Sequence, residues 1–171
     1  MIFYLSINIF CGCVNASIAS RIKMETLFAL IKKHKFSSNR NRTNLGGETM
    51  YYGNRKCLVK GIKSNTRKQG EILEHVKTML GPEINNVCIN KDVVCAPHRD
   101  RQNCGESWIA FFGDYTSGGD LVLEDGRIFP GEEKAFFHGP FLGKSLTHWN
   151  IPHEGGTKYS VVAFKTTPRA T

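Results

Sequence analysis

Among the six cysteines no two are spaced Cys-x-x-Cys, and only Cys11 and Cys13 stand close together. A structural zinc site needs two close ligand pairs, so the spacing argues against one. At 171 residues the chain is long enough to bury a core without disulfide staples. The cysteines are therefore read as reduced thiols, with Cys88 and Cys95, set among apolar neighbours, as small buried hydrophobes. Residues 1–20 carry no charged side chain, so they lack the basic opening of a signal peptide. They are interrupted by Asn8, Gly12 and Asn15 and are short for a bilayer span, so no membrane insertion is expected. Acidic residues are nearly missing from 21–68, where 13 Lys/Arg stand against Glu25 and Glu48, a local net of +11. Residues 69–171 sum to −3, so the overall +8 belongs to one segment. Such a segment suits a phosphate-facing arm or a solvated region.

What is present describes one domain with a real core: 40% hydrophobic and 11% aromatic residues, with Gly 17 and Phe 11 pointing to turns and packed sheets. A collagenous, wholly disordered or multi-pass membrane chain does not fit. Residues 1–23 read as an apolar leader or a mis-called start, because METLFALIKKH opens an amphipathic helix at Met24. An ordinary buried segment, or a signal peptide cleaved near Ser20, are the other readings. Residues 24–82 form a basic helical part packing on a core at 83–171. Met24–His34 and Thr66–Leu80 have helical spacing, the second ended by Gly81 and Pro82, and 37–56 reads as a polar loop. Short strands follow at Val87–Ile89, Val93–Cys95, Trp108–Phe112, Leu121–Leu123, Ala135–Phe137 and Tyr159–Phe164. The fold class is mainly β with N-terminal helices, a sandwich or jelly roll.

Ala96-Pro97-His98-Arg99-Asp100 sets His98 and Asp100 two residues apart, on one face of an extended chain. With a second imidazole they compose the two-histidine, one-carboxylate triad that holds Fe(II) and leaves three positions open. His148 is the expected third ligand and His153 its rival. A surface histidine beside a salt-bridged aspartate is the plain alternative for the pair. Lys158 heads an apolar strand, with Ser160 on the same face, a cation and hydroxyl suited to the distal carboxylate of a dicarboxylate. His34, His75 and His138 read as exposed or structural, His138 being near enough in sequence to support the site.

The runs PHRDRQN, ESWIAFFGDYTSGGDLVL and THWNIPHEGGTKYSVVAF resemble the TET/JBP group of Fe(II)- and 2-oxoglutarate-dependent dioxygenases, across about residues 84–167. Those enzymes oxidise the methyl group of 5-methylcytosine or thymine in nucleic acid. The resemblance implies a double-stranded β-helix (jelly-roll) core, with His98, Asp100 and His148 binding iron. Lys158 stands where the family usually has an arginine for 2-oxoglutarate, which keeps the charge and loses the bidentate fork. Ascorbate, as reductant or alternative co-substrate, stays open. Asn103 coincides with a base-contacting asparagine, its other reading being a turn residue. Phe164 falls where an aromatic meets the base, Thr166 where the family has a histidine, and Arg99 counts with the substrate-binding residues. Ser117 is an extra residue in a loop and hairpin that support the site.

Three functions follow. One is a monomeric dioxygenase acting on a methylated pyrimidine in nucleic acid, DNA before RNA, in a reducing compartment such as nucleus or cytoplasm. The base would be flipped out or presented single-stranded. The second is a hydroxylase of a protein side chain or small molecule, and the third a non-catalytic jelly-roll binding module.

Overall fold

The computed structural model describes residues 7–33, 36–38, 44–53 and 69–167, with side chains described over 18–33, at 36 and over 71–167. His34, Cys57, the start of the second helix at Thr66, and the basic segment beyond Lys33 except the strand backbone at 37–38 and 44–53 lie outside them. Helix α1 runs over Ile7–Lys32 and so begins well before the expected Met24. Gly12, the weakest helix former between Ile7 and Met24, costs only about 1 kcal/mol relative to alanine. Among the side chains described, from residue 18 on, packing starts at Met24. Ile18 and Ile22 are more than half exposed, whereas Met24, Leu27 and Ile31, at helical spacing, are buried. Among the described residues no helix is long and apolar enough to cross a membrane.

Helix α2 (Gln69–Leu80) buries Ile72 and Val76 against α1 and the sheet. It ends as its sequence requires: Gly81 N–H donates to the Lys77 carbonyl at 2.9 Å with φ of 117°, a conformation open to glycine. His75 ties the helices together by donating from Nε2 to the Lys23 carbonyl (2.7 Å).

The stretch read as a loop over 37–56 carries two strands, β1 (Ser37–Ser38) and β2 (Asn44–Gly53). The Gly-Gly and polar residues hid a β-prone Thr49-Met50-Tyr51-Tyr52 run, which pairs antiparallel with β3 (Asn86–Cys95). β3 in turn fuses two expected short strands. Asp92, at φ of 53°, is a kink within this one strand beside a register shift against β2. β4 (Asn103–Gly113), β5 (Ser117–Gly118), β6 (Leu121–Leu123), β7 (Ile128–Phe129), β8 (Phe137–Phe141), β9 (His148–Asn150), β10 (His153–Glu154) and β11 (Lys158–Thr166) complete the order. The strand expected at Ala135–Phe137 starts only at Phe137, because Ala135 takes φ of 64°.

The strands form a six-stranded sheet, β1-β2-β3-β11-β4-β8, a three-stranded sheet, β7-β6-β9, and the pair β10-β5. The described pairings are antiparallel. This is a double-stranded β-helix, or jelly-roll, core with two helices on its outer face.

Period-two alternation explains why its central strands read as unbroken apolar runs. Val87 and Ile89 of β3, Ala110 and Phe112 of β4, and Val161 and Ala163 of β11 face the helices. Phe28 of α1 stacks on Phe112 at 5.2 Å. Ile109 and Phe111 face the other way, packing with Leu121, Leu123 and Phe141 between the sheets. Burying one such large apolar side chain stabilises by roughly 1.5–3 kcal/mol, so both faces of the long sheet contribute. The same alternation turns Cys88, Asn90, Ser160, Val162 and Phe164 toward a cavity on the inner face.

Candidate metal centre

The chain after β3 leaves the sheet through Ala96-Pro97; His98 lies in an isolated bridge, and Asp100 opens the turn at Arg101-Gln102, outside any strand. They converge by backbone pairing. His98 N–H donates to the His148 carbonyl (3.0 Å) and His148 N–H to the His98 carbonyl (2.9 Å), an isolated antiparallel bridge that continues β9. Asp100 is fixed to the loop before β9 by its N–H, which donates to the Gly143 carbonyl at 2.8 Å. Ligand atoms of His98, Asp100 and His148 consequently lie within 4.8 Å of one another. Asp100 Oδ1 is 3.8 Å from His98 Nε2, and its Oδ2 is 3.5 Å from His148 Nε2.

The donor set suits a divalent transition metal for a reason visible in the side chains. Each imidazole uses Nδ1 as a donor to a backbone carbonyl two residues earlier: His98 to Ala96 (2.8 Å) and His148 to Leu146 (2.9 Å). That choice of tautomer sets the other nitrogen, Nε2, of both rings beside the carboxylate, as metal ligands need. Burial of His148 works against its protonation, but the hydrogen bond to Asp100, the Leu146 carbonyl and the carboxylate charge together hold its pKa above the ordinary value.

The triad opens onto a cavity of about 520 Å³, open solvent at its mouth included, between the two sheets. Its inner wall carries Asn90 and Ser160, whose amide and hydroxyl are joined at 3.3 Å, and its apolar side is Val162 and Phe164. Cys88, Cys95 and Asn150 line it as well. The two cysteines are buried and outside any disulfide, as expected, but in the cavity wall. The signal that could have placed them was the alternation Val87-Cys88-Ile89-Asn90, apolar and polar by turns. The expected thiol state of Cys57, Cys11 and Cys13 falls on side chains outside the described residues.

Lys158 shares the inward face of β11 with Ser160 and is 3% exposed. Its ammonium donates to the Gly119 carbonyl and lies 5.0 Å from the centre of the Phe111 ring, behind the cavity wall. Burial lowers its pKa to about 8, against the opposing pull of Asp120. Gly119 belongs to the loop after β5, and β5 pairs with β10, so the loop and hairpin around Ser117 brace the lysine. Ser117 itself hydrogen-bonds Glu154 through Oγ (3.3 Å).

The other candidates fall elsewhere. His153, the rival ligand, meets Asp92 at 3.3 Å, and the same carboxylate oxygen accepts the Lys158 N–H at 2.8 Å. His138 is buried among Phe111, Phe129 and Phe136 and donates to the Glu133 carbonyl. Arg99 points outward, gripping both oxygens of Glu124 (3.0 and 3.2 Å) and Thr147 (3.0 Å). Asn103 is 4% exposed and hydrogen-bonds Asp100 and Ser107. Thr166 is buried and accepts from Asn86 at 2.8 Å.

The His-Asp-His cluster thus lies in the lining of the cavity between the two sheets of a jelly roll. Solved structures similar to this chain include a Pseudomonas putida prolyl-4-hydroxylase, with a TM-score of 0.52 at 12% identity over 88% of this chain and 88% of that one. The viral collagen prolyl hydroxylase of Paramecium bursaria Chlorella virus-1, solved as its 2OG complex, gives 0.51 at 12% identity over 84% and 89%. NgTET1 in complex with 5mC DNA gives 0.48 at 16% identity over 77% of this chain and 64% of that one, so this chain spans less than two thirds of it. At these identities the likeness is one of fold. No family model matches the sequence, and no curated protein matches it.

Proposed function

We propose that this protein is an Fe(II)- and 2-oxoglutarate-dependent dioxygenase, and that its substrate is a methylated pyrimidine, 5-methylcytosine or thymine, in DNA. The observation that carries the enzymatic reading is the convergence of His98 Nε2, Asp100 and His148 Nε2 within 4.8 Å. Both imidazoles are set as ligands by their Nδ1 bonds. Bound iron with 2-oxoglutarate and O₂ supplies an oxidant able to hydroxylate a C–H bond, while the co-substrate is oxidatively decarboxylated to succinate and CO₂. The chain's own part is to hold and exclude. The three ligands fix the metal, and Ser160 offers a hydroxyl on the cavity wall. Lys158 brings a positive charge to the same strand face for a dicarboxylate, and Val162 and Phe164 keep water from the reacting carbon.

The nucleic-acid half of the reading is supported by the residues shared with the TET/JBP group and by the +11 charge of 21–68. A hydroxylase of peptidyl proline is the second reading, favoured by the two prolyl hydroxylases that share the fold. Nucleoside mass spectrometry of methylated DNA incubated with protein, Fe(II), 2-oxoglutarate and ascorbate decides between them. Hydroxymethylated pyrimidine formed together with succinate is the expected result. Succinate release with a proline peptide and no oxidised base would transfer the assignment to the second reading.

A further inference from the structure

Asn103 begins β4 directly behind the metal cluster, and its surroundings give it a task different from contact with a substrate. Its side chain is 4% exposed and is not part of the cavity wall that Asp100 and His148 help to form. The amide nitrogen donates to Asp100 Oδ2 at 3.4 Å and to Ser107 Oγ at 3.2 Å. Ser107 is fully buried, so the second bond anchors the amide to the middle of the strand. The backbone repeats the connection: Asn103 N–H donates to the Asp100 carbonyl at 2.9 Å, closing the turn that carries the carboxylate.

Gly143 completes the arrangement. A Cβ built there would come within 3.2 Å of Asn103 Nδ2, 3.4 Å of Asp100 Oδ2 and 3.4 Å of Ser107 Oγ. Three polar atoms from two segments thus meet under the one residue without a side chain, which also accepts the Asp100 N–H.

We propose, resting on the metal-centre reading above, that Asn103 is a positioning residue that orients the Asp100 carboxylate toward the metal, with Ser107 as its anchor and Gly143 as the gap that admits it. A carboxylate on a turn can rotate about its χ angles, and a ligand free to rotate binds a metal less well than one already aimed. A hydrogen bond to Oδ2 selects one rotamer and leaves Oδ1 toward His98. An amide nitrogen engaged in this way has both its donors in use, and at 4% exposure the side chain is poorly placed to reach a base edge.

The test is titration of the purified full chain with Co(II), followed by calorimetry and the visible ligand-field absorption, with no substrate or co-substrate present. Loss of such a supporting bond typically weakens metal binding by roughly tenfold to a hundredfold. Asn103→Ala should weaken Co(II) binding in that range and alter the absorption band, while circular dichroism shows an intact fold. Ser107→Ala should shift both in the same direction by less, and it decides the matter if Asn103→Ala does not fold. Unchanged Co(II) affinity and spectrum in the folded variant, with a raised KM for nucleic acid, would overturn the proposal and return Asn103 to substrate contact. Failure of the wild-type chain to bind Co(II) would instead remove the metal-centre reading on which it rests.

Discussion

His98 and His148 hold each other by their backbones, exchanging two N–H to carbonyl bonds of 3.0 and 2.9 Å that bring their rings to 4.4 Å between centres. Fifty residues of sequence separate them, yet neither side chain takes part in the contact that aligns them. Ligand geometry and ligand chemistry are therefore separable here. His148→Ala should keep the bridge and the fold, with unfolding free energy changed by no more than about 2 kcal/mol, and lose metal binding and turnover together. Chemical denaturation and metal content after equilibration with Fe(II) check both halves. A variant that still binds iron stoichiometrically would show that another residue completes the site.

His153 stood as the rival ligand on sequence alone, but its Nε2 sits 3.3 Å from Asp92, not within the cluster. His153→Ala should leave metal affinity within about twofold of wild type and cost roughly 1 kcal/mol of stability through the lost contact. Metal affinity falling to the level of His148→Ala would reverse the choice of ligand.

Asp92 itself combines two demands: φ of 53°, and one carboxylate oxygen that receives both the Lys158 N–H and His153. Asparagine tolerates left-handed backbone and keeps an acceptor oxygen, whereas valine does neither. Asp92→Asn is expected to unfold close to wild type and Asp92→Val to lose roughly 2–4 kcal/mol, read from denaturant midpoints. Equal losses in both would mean that charge, not conformation, matters at this strand kink.

How much of this was legible beforehand differs by residue, and for physical reasons. The strands at Leu121–Leu123 and Tyr159–Phe164 announce themselves because Leu121-Val122-Leu123 and Val161-Val162-Ala163-Phe164 are apolar runs whose residues are buried or half-buried on both faces. β2 does not, because Asn44-Leu45-Gly46-Gly47 reads as a turn and the strand exists through its pairing with the edge of β3. Local propensity carries no record of such a partner. The triad was readable as chemistry, since histidine and aspartate types identify a metal set. Its geometry was not: His98 is held by a backbone bridge to His148 and Asp100 by the Gly143 carbonyl, which no spacing rule contains. Arg99, counted with the substrate-binding residues, points outward, where Glu124 holds its guanidinium, a contact no spacing announces.

Lys158 offers the sharpest dependence on pH. Burial brings its pKa from 10.5 down to about 8, so between those values the unfolded chain holds a proton that the folded chain has released. Stability must then rise with pH across that window, the whole burden of the buried charge being present below about pH 8. Lys158→Met should abolish that rise and be the more stable protein at neutral pH. For co-substrate the sign is reversed. A dicarboxylate held by the ammonium binds while the lysine is charged, so 2-oxoglutarate affinity should fall once pH exceeds about 8, approaching tenfold per unit, and Lys158→Met should bind weakly at every pH. Calorimetric titration of the metal-loaded protein between pH 7 and pH 9.5, as order-of-magnitude brackets on that pKa, measures the second effect, and denaturation over the same range the first. Rising stability with flat 2-oxoglutarate affinity would leave Lys158 a buried structural cation bound to Gly119, and the co-substrate's anchor would have to be sought at Ser160 and Asn90 on the cavity wall.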